Sequence, residues 1–178
     1  MVDVVDPATR SRIMAGIRGK DTKPEHLLRK KLHAAGIRYR LHAPNLPGKP
    51  DLVFPRFKAV AFVHGCFWHR HDGCHWCSTP ASNADFWNKK FRCNVTRDSA
   101  AIDDLHRAGW RVAIAWECGL RGAGANQLTE RISCWLFTGI GDFDSGLVRR
   151  RINTPSSHWG PPDNRHVAII YDRQVITS

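Results

Sequence analysis

The sequence predicts an α/β fold, and three observations carry that expectation. Helical stretches with legible caps come before and between short apolar runs of strand length. Those runs begin or end on polar residues, as strands do when a buried sheet presents chemistry at its rim. A hydrophobic share of 42% in 178 residues is enough for one domain with a real core.

The first element expected is a short helix over Pro7–Gly19. Asp6 suits the N-cap and Pro7 the first helical position, where an N–H would lack a partner anyway. Thr22–Ala35 is a firmer helix, with a capping box from Thr22 and Glu25, Pro24 in the first turn and Gly36 as the stop. Leu27, Leu28 and Leu32 are spaced to face inward, and capping is the role this pattern favours for Glu25. Ile37–His42 reads as a strand, followed by the turn-rich APNLPGKP of residues 43–50. Asp51–Phe54 and Lys58–Val63 read as two short apolar strands, joined by a tight turn at Pro55 and Arg56 and central in a sheet. Ala84–Arg107 reads as helix in two parts, ending at Gly109. Trp110–Glu117 is the strongest strand signal and delivers Cys118 at its end. Gly119–Ala125 reads as a loop, and Asn126–Phe137 as an amphipathic helix capped by Asn126. Beyond Thr138 the pattern degrades among Gly, Arg and Pro, although residues 166–176 can supply one further edge strand.

The formal net charge of +11 points to a polyanionic partner, most often nucleic acid, because neutralising phosphates drives such binding. The charge is uneven: residues 1–58 hold 13 Lys/Arg against 5 Asp/Glu, while Asp98, Asp103 and Asp104 dilute the middle. A concentrated basic front half fits a binding face. No apolar run approaches the roughly 18 residues of a membrane span, and the N-terminus has acids where a signal peptide has bases, so a cytoplasmic location is expected. In that reducing compartment, six Cys crowded near His suggest metal ligation before disulfides.

The chemistry concentrates between His64 and Cys77, which hold four His, three Cys, Phe67 and two Trp. Cys66, His71 and Cys74 are spaced C-x4-H-x2-C, and Cys118, at a strand end, is the best-placed fourth ligand. Thiolates and imidazole in a tetrahedral set favour Zn²⁺, and four protein ligands close the site, which makes it structural. Cys77, His75 and His69 stay open as alternative ligands. Asp51 opens a strand beside the one ending at Val63, so pairing brings its carboxylate near Val63 and His64. A carboxylate, a carbonyl oxygen and waters suit Mg²⁺. His64 or His69 can then act as general base on the attacking water. Rings crowd the same region: Phe67 and Trp68, then Phe86 and Trp87. Apolar wedges of this kind unstack and kink a duplex. Core packing accounts for Phe86, Trp110 and Trp116, while Phe67 and Trp68 suit core or wedge equally.

Taken together, these residues resemble the very short patch repair (Vsr) endonucleases, bacterial enzymes that nick DNA at T:G mismatches. The resemblance runs from about residue 5 to residue 137, through ATRSRIMAGIRGKDTKPE, LPGKPDLVF, FVHGCFWHRHDGC, the Phe86–Trp87 pair and GWRVAIAWEC. It implies a restriction-endonuclease-like core, a mixed sheet flanked by helices, with a structural zinc site. It implies catalytic Mg²⁺ on Asp51 and the carbonyl of Val63, His69 as general base, and Glu25 and His64 completing the site through waters and phosphate. Structural Zn²⁺ falls to Cys66, His71, Cys74 and Cys118. Phe67, Trp68 and Trp87 would intercalate, Lys90 and Asn94 contact the mismatch region, and Met14 lie on the minor-groove side. This chain has Val63 where the family often carries Thr, so only a role for the backbone carbonyl transfers.

The reading that follows is a Mg²⁺-dependent enzyme that nicks double-stranded DNA 5′ to the T of a T:G mismatch left by 5-methylcytosine deamination. It divides the chain into a DNA-contacting arm at 1–20, an endonuclease domain at 21–138 and an extension of unknown role at 139–178. Its expected associates are mismatched DNA, a functionally linked cytosine-5 methyltransferase and mismatch-repair proteins, with the monomer in the bacterial cytoplasm at the nucleoid. The rival readings are a zinc-stabilised DNA-binding protein without catalysis and a related nuclease with a non-mismatch site.

Overall fold

Alternation along two central strands decides which helix covers which face. In the computed structural model, β3 (Ala59–His64) and β4 (Arg111–Trp116) run parallel, paired from Ala59 with Arg111 to His64 with Trp116. Ala59, Ala61, Ala113 and Ala115 turn to one face, together with Leu52 and Phe54 of β2 (Leu52–Phe54). Val60, Phe62, Val112 and Val53 turn to the other, as the period of two in a strand requires. The four alanines leave room for two helices to lie close on their face. These are α1 (Lys23–Ala34), through Leu28 and Leu32, and α3 (Gly124–Thr138), through Leu128, Ile132 and Leu136. The opposite face is covered by α2 (Ala84–Arg107), whose Leu105 packs on Val60 and Phe62 with Ile102 beside it.

The sheet has five strands in the order β1-β2-β3-β4-β5, where β1 is Arg40–Leu41 and β5 is Phe143–Asp144. β1, β2 and β3 pair antiparallel, and β3, β4 and β5 pair parallel, so the sheet is mixed. The structure describes residues 19–146 except His42 and Ala81, together with Asp6, Ala8, Thr9, Arg12 and Gly16. Met14 and the edge strand expected at 166–176 lie outside the described residues. At the N-terminus, Asp6 Oδ1 accepts from the N–H groups of Ala8 and Thr9 at 3.0 and 2.9 Å, which is the capping geometry its sequence suggests. Among the described residues no helix is long and apolar enough to cross a membrane.

Several boundaries differ from expectation for identifiable reasons. The helix expected in two parts is one unbroken α2, because residues 84–107 contain neither Gly nor Pro and Trp87, Phe91, Asn94, Ala101 and Leu105 share one buried side. α3 begins two residues before Asn126, which is not its cap; the Asn126 side chain instead accepts a hydrogen bond from Lys31 of α1. The strand expected over 37–42 pairs only at Arg40–Leu41, since Ile37 is already buried against the α1 core. The turn after β2 is a single 3₁₀ turn over Pro55–Phe57, closed by Lys58 in the left-handed region. Leu32 is fully buried between α1 and the alanine face, so Leu32→Ala should cost about 2–5 kcal/mol. Urea unfolding will show this as a lower midpoint at unchanged slope.

Candidate active site

The sheet gathers its polar residues at one rim. β2 runs antiparallel to β3, so its first residues lie where β3 ends, and β4 ends alongside. Asp51 enters this rim from the loop, where Pro50 is buried and Gly48 adopts φ +69°. A Cβ at Gly48 would sit 2.7 Å from Ala101 Cβ and 3.1 Å from the Phe62 ring, so only glycine lets the loop press this closely on α2. Asp51 Oδ2 accepts from the Val63 N–H at 2.7 Å. The N–H and C=O of one strand residue leave on the same side, so the Val63 carbonyl opens towards the Asp51 carboxylate. Two oxygen donors on one edge of the sheet fit a small hard cation.

His64 closes β3 and is buried. Its ring stacks on His69, with centroids 3.8 Å apart and planes 8° from parallel. Burial, then the neighbouring His69, pushes its pKa down to about 3, so the ring is neutral at physiological pH. His69 is aligned by a residue that no sequence motif marks: its Nδ1 lies 2.5 Å from Asp98 Oδ2 on α2. Burial alone would raise the Asp98 carboxyl, but the hydrogen bond from His69 and the Arg97 guanidinium at 3.2 Å help hold it below its ordinary value. That contact fixes the His69 tautomer and leaves Nε2 to accept a proton. The trio His64, His69 and Asp98 is close enough to be read as a metal cage. Parallel stacked rings argue otherwise, because their lone pairs point side by side instead of converging.

A second group lies beyond His64. Cys66, His71, Cys74 and Cys118 are all buried, with their ligand atoms within 4.8 Å of one another. His71 Nδ1 faces the sulfurs of Cys66 and Cys118 at 3.6 and 3.4 Å, so it is the nitrogen placed to ligate an ion held there. Burial pushes the Cys66 thiol well up, and the Cys118 and Cys74 sulfurs add to this, so a thiolate set here calls for a bound cation. Three sulfurs and an imidazole suit a thiophilic, tetrahedral ion. Of the open alternatives, Cys77 packs at the cluster's margin, His75 is exposed, and His69 is turned to Asp98.

The rings cluster around Phe67, which meets Trp68, Trp87 and Phe91 edge-on with centroids 5.0–5.5 Å away. Phe67 and Trp68 are half-buried and Trp87 is buried. Phe86, expected in the core, is instead 62% exposed, because its position on α2 points away from the side shared by Trp87 and Phe91. Trp116 is buried as expected and Trp110 partly so. Asn94 is buried and donates from Nδ2 to the Trp68 carbonyl at 3.1 Å, while Lys90 is exposed. A cavity of about 610 Å³ lined by Arg70, Asn88, Phe91, Arg92, Val95 and Thr96 borders this group. Glu25 is buried and engaged locally: it accepts from the Asp21 and Thr22 N–H groups, the Thr22 hydroxyl and Arg29 Nη2, at 2.6–3.2 Å. This is the capping geometry that the sequence pattern favours.

An imidazole aligned by one carboxylate, with a second carboxylate at the same rim of a basic chain, is equipment for hydrolysing a phosphodiester. It belongs to the class of endonucleases acting on DNA. Residues 2–76 match the family described as DNA mismatch endonuclease Vsr. The chain is 46% identical over 131 residues to the type II nicking enzyme V.XorIIP of Xanthomonas oryzae, covering 74% of this chain and 96% of that protein. It is 43% identical over 139 residues to the DNA mismatch endonuclease Vsr of Escherichia coli, covering 76% and 88%. To the type II nicking enzyme V.NmeAIP of Neisseria meningitidis it is 42% identical over 121 residues, covering 68% and 86%. The chain belongs to the Vsr endonuclease family.

The depressed pKa of His64 has a direction that can be checked. An unfolded chain protonates this ring below about pH 6.5 and the folded protein does not, so His64 contributes stability that is lost as pH falls from 6.5 towards 3. Its ring signals should stay those of neutral imidazole at pH 5 in an NMR titration. A midpoint near 6.5 would show the ring to be solvated.

Proposed function

We propose that this chain nicks double-stranded DNA 5′ to the T of a T:G mismatch left by 5-methylcytosine deamination, starting very short patch repair. The observation that carries the reading is that His69, aligned by Asp98 of α2, and the Phe67–Trp68 rings share one loop, so that whatever base step the rings enter lies beside the proton acceptor. Kinship with the Vsr of E. coli and with type II nicking enzymes supports the substrate class. The fold around the site is read as a restriction-endonuclease-like core.

In this reading Phe67, Trp68 and Trp87 act as the wedge, and a mismatched step yields to it more easily than a paired one. Lys90 and Asn94 contact the mismatch region from α2, and Met14 approaches from the minor groove. His69 Nε2 takes the proton of the water that attacks phosphorus, and Asp98 stabilises the imidazolium that forms. The bond from phosphorus to the 3′-oxygen breaks, that oxygen takes up a proton, and the phosphate stays on the 5′ side of the T. His64, neutral and stacked on His69, keeps that ring in plane and, with Glu25, completes the site through waters and phosphate. Asp51 and the Val63 carbonyl are the donors for Mg²⁺, which when bound supplies positive charge against the phosphate in the transition state. Cys66, His71, Cys74 and Cys118 are the donors for a structural Zn²⁺. The enzyme so described is a cytoplasmic, nucleoid-associated monomer whose substrate arises from a cytosine-5 methyltransferase, with mismatch-repair proteins as further partners.

Nicking of T:G, T:A and four-way-junction DNA in Mg²⁺ tests this directly. Cleavage should favour T:G and fall roughly 10²–10⁴-fold in His69→Ala. Preference for T:A or the junction would reject the mismatch reading, and binding without any nicking would favour a non-catalytic DNA-binding protein. Cys118→Ser should lose zinc and folded yield together, measured by metal analysis and circular dichroism. Normal folding with no metal would refute the structural role.

A further inference from the structure

Residues 142–146, DFDSG, carry no role in the reading above, yet they are tied to β4 by their side chains. Trp116 Nε1–H donates to Asp144 Oδ1 at 2.8 Å, and the Gly146 N–H donates to the same oxygen at 2.7 Å. The Trp116 N–H donates to Ser145 Oγ at 2.9 Å, and the Ser145 N–H to the Ile114 carbonyl at 3.0 Å. Four contacts therefore fix one indole ring and the segment beside it.

That indole stands between the two sites. One face lies flat on His71, with centroids 4.2 Å apart and planes 4° from parallel. Its ring also meets His64 at 71°, with centroids 5.4 Å apart, and His64 stacks on His69. The rings His71, Trp116, His64 and His69 form one continuous series, which Asp98 terminates through His69. Gly146 closes the other end: a Cβ there would lie 2.5 Å from His71 Nε2, the nitrogen opposite the one that faces the sulfurs, and 3.1 Å from Trp116 Cδ1. His71 cannot swing aside to accept it while stacked on Trp116.

We propose that Asp144 is a positioning residue that acts through Trp116 on both the metal-site histidine and the nuclease histidines. The proposal rests on the site reading above. Groups that orient a metal histidine from outside its ligand shell are worth as much as 10–100-fold in affinity or activity. Asp144 holds the ring that serves His71 on one side and His64 on the other, so its loss should be felt at both.

The test uses the full-length, zinc-loaded protein with two readouts: zinc transfer to a chromophoric chelator without DNA, and single-turnover nicking of T:G DNA at saturating enzyme. Asp144→Ala should speed zinc transfer and slow nicking, each roughly 10–100-fold, while affinity for the duplex stays unchanged. Asp144→Asn keeps an oxygen acceptor for the indole and should restore both. Trp116→Phe keeps an aromatic face but has no N–H; it should reproduce Asp144→Ala and add little to it in the double variant. It also carries the test if Asp144→Ala does not fold. Wild-type zinc transfer and nicking in Asp144→Ala would overturn the proposal. So would faster zinc transfer with unchanged nicking, or losses that Asp144→Asn fails to rescue, which would make β5 only a sheet edge. Because zinc transfer is read without DNA, a protein that passes that arm but never nicks T:G would condemn the nuclease reading separately.

Discussion

The parallel pairing of β3 with β4 is the constraint on which the rest depends. Two strands joined by a hairpin run antiparallel; two that run parallel need a long crossover. Here the crossover occupies residues 65–110 and holds the His/Cys loop, the aromatic group and all of α2. The crossover leaves β3 after His64 and returns at the opposite rim of the sheet, where Arg111 pairs with Ala59; the pairing of His64 with Trp116 sets the start of the loop beside the strand end that leads, two residues on, to Cys118. Register thus sets a nuclease-type histidine beside the tryptophan that packs on a cluster ligand. A slip of one residue in this pairing would put His64 and Trp116 on opposite faces of the sheet and separate both groups.

The Cys/His cluster answers a problem this arrangement creates. The largely exposed loop between His69 and Ser78 has little buried apolar surface with which to hold its shape. An ion held by Cys66, His71, Cys74 and Cys118 would tie the loop to the end of β4 across a wide gap in sequence. Phe67 and Trp68 lie just after the first of these residues, so the same tie would aim the rings. His69 is held differently, by Asp98 from α2. The loop is therefore gripped from β4 on one side and from α2 on the other, which explains why α2 has to be one continuous rod: Trp87, Asn94 and Asp98 meet the loop from successive turns of a single helix.

Legibility in the sequence followed the range of the forces involved. The capping box at Thr22 and Glu25, the apolar strands β2, β3 and β4, and the C-x4-H-x2-C spacing were all readable, because each depends on neighbours a few residues away. The features that differ from expectation depend on distant partners. β5 is two residues long and lies in a stretch without apolar periodicity; hydrogen bonds from Val112 and Trp116 to Asp142, Asp144 and Ser145 hold it in place. Phe86 and Trp87 are adjacent aromatics of similar composition, and only the helix phase buries one and exposes the other. Asp98 looked like one of three acids diluting a basic chain until the fold brought it to His69.

The inventory can be read from the order of residues: an α/β chain, a loop of soft metal-ligand types interleaved with rings, a carboxylate opening a strand, and a basic front half. These are properties of residue type and short-range spacing, and folding does not alter them. The partnerships arise with the packed fold. That Asp51 meets the Val63 amide, that Asp98 aligns His69 and that Trp116 lies between His71 and His64 each follow from strand register and helix packing. Those are cooperative properties of the whole core, set by which faces of β3 and β4 are small and which are large, and no local stretch of the chain encodes them alone.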